Sequence, residues 1–137
     1  MTNIDLADDY FKRAQIRLKA LYFFKQEKGY AEVVREAQEL VEMVLKGVLR
    51  KIGVEPPHWH EVSSILEQHK NKLPKKISNQ LKKISEISKK LRKERELAYY
   101  GDEDYIPSEE YDEKDAIEAI TDCDWLITLL KSFFNKK

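Results

Sequence analysis

Arg92, Arg95 and Tyr99 stand at positions i, i+3 and i+7 of the run LRKERELAYYGDEDY. On a helix that spacing sets all three along one face. Guanidinium groups offer forked donors that match phosphate oxygens, and a phenol adds one more donor. Such a cluster can bind phosphate, or it can form a salt-bridged helix end beside the acids that follow it. Tyr100 would lie about 140° round from Arg95 if the helix continued. Gly101 is a stop signal, so the direction of Tyr100 stays open.

Other chemistry is sparse. His58, His60 and His69 are the only histidines, and H-W-H is not a zinc spacing on a helix. No metal site is expected. The single cysteine, Cys123, lies four residues before Ile127 on an apolar stripe, where a small thiol packs as core. It can form no disulfide within the chain. The four glycines are scattered singly, without a phosphate-binding loop, a nucleophile elbow or a dinucleotide fingerprint. No cofactor is expected.

These residues must be positioned by helices. Ala7, Phe11, Ala14, Leu18 and Leu21 recur every three or four residues, as do Val33, Ala37, Leu40, Val44 and Val48. Val62, Ile65, Leu66 and His69 mark a short third segment. Ile77, Leu81, Ile84, Leu91 and Ala98 stripe a fourth, and Ala116, Ile120, Cys123, Ile127, Leu130 and Phe134 a last one. Gly29, Gly53 with Pro56 and Pro57, Pro74, Gly101 and Pro107 fall between the segments. Gly47 alone sits inside a stripe and marks the close approach of a neighbouring helix. No period-two alternation is long enough for a strand. The expected fold is all-α, an up-and-down antiparallel bundle of four long helices plus one short helix.

At 137 residues and 42% hydrophobic content, the chain suits one domain spanning 1–137 and excludes a disordered protein. No apolar run approaches the ~18 residues of a membrane span. The start MTNIDLADDYF lacks the basic and apolar stretches of a secretory signal, so a cytoplasmic protein without membrane contact is expected. The last helix carries Trp125, Leu126, Leu129 and Phe133 beyond its stripe, an apolar surplus to be covered by a second copy or by a neighbouring helix of the same chain.

Lys+Arg and Asp+Glu balance at 25 each, yet the balance hides two blocks. Lys70 to Arg95 holds eleven basic and two acidic residues. Glu96 to Asp124 holds twelve acids and one lysine. The fourth segment is a basic rod that can attract phosphate. The acidic block can neutralise it within one chain or across a dimer.

Taken together, VVREAQELVEMVLKGVLRKIG, PPHWHEVSSIL and RELAYYGDEDYIPSEEYDEKDAIEAI resemble the HEPN domains. The telling part is the order and spacing of Arg95, Ala98, Tyr100, Pro107, Tyr111, Asp115 and Ala116. HEPN domains are small prokaryotic helical proteins often found beside nucleotidyltransferases. The resemblance implies a bundle of four to five helices that is usually dimeric. Many members are metal-independent ribonucleases, often toxins, whose Arg-x4–6-His motif meets its copy at the dimer interface. Others are inactive, or bind nucleotides or nucleic acid. In some pairs the nucleotidyltransferase silences the toxin by modifying a tyrosine two residues beyond the His.

Arg95 takes the place of the motif arginine. The three positions open to the His hold Tyr100, Gly101 and Asp102. Starting from Arg92 gives Leu97, Ala98 and Tyr99, which is no better. The modified tyrosine would fall at Asp102. His titrates near neutral pH and can pass protons to and from RNA, whereas tyrosine, with an ordinary pKa of roughly 10, is a poor base. Arg95 keeps its grip on a phosphoryl oxygen.

The expected protein therefore binds nucleotide or RNA phosphate through Arg92, Arg95, Tyr99 and Tyr100, without strong catalysis. It would be a homodimer acting with a nucleotidyltransferase-type partner in a toxin–antitoxin-like pair. Two alternatives stand beside this: a ribonuclease using Tyr100 or a borrowed His58 or His60, with Arg95 and Tyr100 as catalytic candidates, and a pure dimerisation module.

Overall fold

A computed structural model describes residues 3–58, 62–99 and 106–134, with backbone alone for residue 3 and residues 95–99. They form α1 (Asn3–Gln26), α2 (Tyr30–Lys51), α3 (Val62–Gln68), α4 (Lys75–Ser78), α5 (Leu81–Tyr99), α6 (Pro107–Glu110) and α7 (Glu113–Phe134). A single 3-10 turn covers Lys70–Lys72. No strand occurs among the described residues. The long helices are α1, α2, α5 and α7; α3 is short, and α4 and α6 are single turns. The all-α expectation is met, with two refinements. Pro107 opens the single turn α6 where only a connection was expected. The fourth segment is two helices, because Asn79 and Gln80 interrupt it while Ile77 and Leu81 on either side both reach the core.

The ends of α1 and α2 are set by local chemistry. In α2, the Gly53 and Val54 amides donate to Arg50 and Leu49 carbonyls, with Gly53 at φ 83. This double closure needs a left-handed residue after the last turn, which glycine adopts without strain. The same closure ends α1, where Lys28 and Gly29 amides donate to Lys25 and Phe24 carbonyls. There the left-handed residue is Lys28, at φ 62, not the glycine beside it. At the start of α7, Asp112 and Asp115 each accept a 3.0 Å hydrogen bond from the other's backbone amide, a reciprocal cap.

α2 is the central element: twelve of its residues are buried, and it packs against α1, α5 and α7. Arg17 pairs with Glu36 at 3.1 Å and Lys51 with Asp8 at 3.6 Å, so α1 and α2 run antiparallel. Cys123 lies against Ala37 while Phe134 lies against Gly47, so α7 runs parallel to α2. Lys83 meets Trp125 and Lys90 meets Glu118, which makes α5 and α7 antiparallel. Successive long helices therefore alternate in direction, although the link from α2 to α5 is long and holds α3 and α4.

Gly47 does mark a close approach. A Cβ there would lie 3.3 Å from the Ala7 carbonyl oxygen, the Phe134 ring and Tyr10 Cβ. At the same end, Phe11 and Phe134 stack with centroids 4.5 Å apart. Lys51 donates to the Phe133 and Phe134 carbonyls, placing a cation on the negative end of α7.

Much of the apolar surplus of α7 packs inside the bundle. Leu126 is fully buried, and Trp125, Leu129 and Phe133 pack half-buried against the core. The large apolar side chains that face solvent lie mainly on α1, at Ile4, Ile16, Tyr22 and Phe23. No described helix is long and apolar enough to cross a membrane.

Candidate functional site

The site is carried by α5. Leu81, Ile84, Ile87 and Leu91 recur at three- and four-residue steps and are all buried, fixing the rotation of the helix about its axis. With that stripe inward, the basic residues are distributed over two flanks and an outer ridge. Helical backbone continues to Tyr99, so Arg92, Arg95 and Tyr99 do belong to one helix. Arg92 is exposed to solvent. The side chains of Arg95 and Tyr99, and the whole of Tyr100, lie outside the described residues.

One flank faces α7. Lys90 pairs with Glu118, and Lys83 sits 4.1 Å above the Trp125 ring, within cation–π range. Both lysines also act on Asp122. Burial raises its carboxyl above the ordinary value, and the two cations pull it back only in part. Farther along, the Tyr111 hydroxyl donates to Glu94 Oε2 at 2.7 Å, tying the junction of α6 and α7 to the later turns of α5. A cavity of about 240 Å³ opens here, lined by Lys90 and five carboxylates, Glu94, Glu110, Asp115, Glu118 and Asp122. Its charge repels phosphate. The acidic block thus neutralises this flank within the chain, one of the two arrangements open from sequence.

The other flank faces α3. Ser63, buried on α3, donates to Ser85 on α5 at 3.2 Å and ties the two helices together. Above this contact runs a groove of about 740 Å³. Its walls carry Lys70, Lys82 and Lys89 with the hydroxyls of Ser63, Ser64, Ser78 and Ser85. This groove was not read from the sequence. The signal for it is the spacing of Lys82, Ser85, Lys89 and Arg92, at steps of three, four and three. The contribution of α3 depends on how the bundle docks.

Of the remaining candidates, the cysteine carries no site chemistry. Cys123 is wholly buried, its thiol facing the Ala37 carbonyl at 3.7 Å, and burial pushes its ionisation far up. A thiol held protonated in this way is inert as a nucleophile. His58 is exposed and His69 half-buried beyond the end of α3, while His60 lies outside the described residues. No group of three metal-ligating side chains occurs among the described residues.

The profile of the HEPN domain family matches residues 7–133, nearly the whole of this helical bundle. Neither a curated protein nor a solved structure matches the chain.

Proposed function

The chain belongs to the HEPN domain family, and from that premise we propose that it binds nucleotide or RNA phosphate at the C-terminal end of α5, without strong catalysis. One observation carries the reading: the family's motif arginine is kept as Arg95 on a strongly basic helix, while Tyr100, Gly101 and Asp102 fill the positions open to the motif histidine. Arginine can hold a phosphoryl oxygen, but without a group titrating near neutrality there is no efficient transfer of the 2′-hydroxyl proton. Exposed Arg92 adds a second donor one turn earlier, and Tyr99 and Tyr100 supply phenolic ones. In this reading the protein is a homodimer and works with a nucleotidyltransferase-type partner, toxin–antitoxin-like. The exposed apolar positions of α1 support a second chain more than α7 does.

The test is a titration of nuclease-free protein with labelled single-stranded RNA in EDTA, following binding and cleavage together. Wild type is expected to bind without cutting, and Arg95→Ala to bind at least tenfold more weakly. Unchanged binding by Arg95→Ala overturns the site. Metal-free cleavage that vanishes in Arg95→Ala overturns the non-catalytic reading and makes the protein a ribonuclease.

A further inference from the structure

The groove between α3 and α5 has the chemistry of an extended anion site, and nothing so far assigns it a role. Its lysines, Lys70, Lys82 and Lys89, form no ion pair with any described residue, unlike Lys90 across the helix. Hydroxyls and side-chain amides supply most of the remaining lining, and Leu81 is the one apolar side chain among the residues that line it. The groove is more open to solvent than enclosed, which suits a chain lying along it better than a small molecule engulfed.

Register extends it toward the arginines. Lys82, Ser85, Lys89 and Arg92 place a donor at each turn of α5, about 5 Å apart and spanning about 15 Å in all. A linear array of cations and hydroxyls on a rigid helix matches a repeating anion. Two carboxylates, Glu67 and Glu86, share the groove. They repel phosphate but can accept hydrogen bonds from ribose 2′-hydroxyls, groups that DNA lacks.

We propose that this groove holds the sugar–phosphate backbone of a single-stranded RNA, leading it along α5 to the arginine end. The proposal rests on the phosphate-binding reading of that end and deepens it. The ligand becomes a polynucleotide several residues long, not a mononucleotide, and the groove prefers ribose to deoxyribose.

The experiment compares fluorescently labelled single-stranded RNA of about twelve nucleotides, within the range of known single-strand site sizes, with a dinucleotide, the DNA of the same sequence and a glutamate-rich peptide. The proteins are wild type, Lys82→Gln/Lys89→Gln and Arg95→Ala, each checked for helicity. The double variant is expected to bind the long RNA about tenfold more weakly and the dinucleotide as before. Its salt dependence should fall by about 1.4 in log–log slope, from two lost phosphate contacts on a single strand. Arg95→Ala should weaken both RNA lengths.

If the double variant binds long RNA like wild type, the groove assignment is wrong and the arginine end stands. If the long RNA depends on Lys82 and Lys89 but not on Arg95, the groove stands and the arginine end fails. Wild type binding neither RNA overturns both. Binding of the glutamate-rich peptide as tightly as RNA makes the groove a protein-docking surface and overturns the RNA proposal. Equal binding of DNA removes the ribose preference.

Discussion

The two flanks of α5 carry the same kind of side chain and put it to opposite uses. Toward α7, Lys83 and Lys90 are engaged, one over an aromatic ring and one against a carboxylate. Toward α3, Lys82 and Lys89 line an open groove beside serines and pair with no described acid. Each lysine of one flank neighbours a lysine of the other in the sequence, KK at 82–83 and at 89–90. One step along a helix rotates a side chain by about 100°, enough to move it from one neighbour to the other. A run of basic residues is therefore not one feature. Its meaning is divided by which helix each residue faces.

Both flanks depend on the inward stripe between them, so the largest effect should come from breaking it. Ile84 is 1% exposed. Ile84→Ala is expected to cost about 2–4 kcal/mol in urea unfolding, through lost burial and the cavity left behind. RNA binding should weaken with stability, since the orientation of both flanks is lost together.

A sharper contrast comes from one polar change on each side. Tyr111→Phe removes the 2.7 Å hydrogen bond that ties the junction of α6 and α7 to Glu94. It is expected to cost about 1.5–3 kcal/mol, the range for a bond to a charged partner. The groove variant Lys82→Gln/Lys89→Gln should change stability by no more than about 0.5 kcal/mol, as exposed positions usually do. An equal loss in the two would show that the groove lysines are structural, and would erase the contrast.

The smallest effect is a pH dependence confined to the α7 flank. Asp122 holds its proton more tightly folded than unfolded, chiefly because it is partly buried. Its contribution is therefore most favourable below the unfolded value, roughly 4, and is lost as pH rises through the raised folded value. Asp122→Asn should be more stable than wild type at neutral pH, by less than about 1 kcal/mol given solvent screening. The difference should shrink at mildly acidic pH. A constant difference across that range would mean that Asp122 is fully paired by Lys83 and Lys90.

Much of this architecture could be read along the chain. The apolar stripes gave the long helices, because a three- and four-residue period has one helical solution. The breakers gave most of the turns, though Lys28 takes the left-handed position that glycine would be expected to hold. The break at Asn79 and Gln80 was not legible, since no glycine or proline marks it and the stripe runs on through Ile77 and Leu81. Arg92 could be placed on one helical face with Arg95 and Tyr99 by spacing alone, whereas its exposure is a property of the packed bundle. The groove could not, because Ser63 and Ser85 are distant in sequence and meet only when α3 lies against α5.

By itself the sequence determined the helices, the family and the charge of each segment, since these depend on residue type and local period. Only the tertiary structure decided that the acidic block answers one side of the basic helix and leaves the other open. Which charges meet is fixed by the helices' rotation and neighbours, and those are set by burial of the shared apolar core.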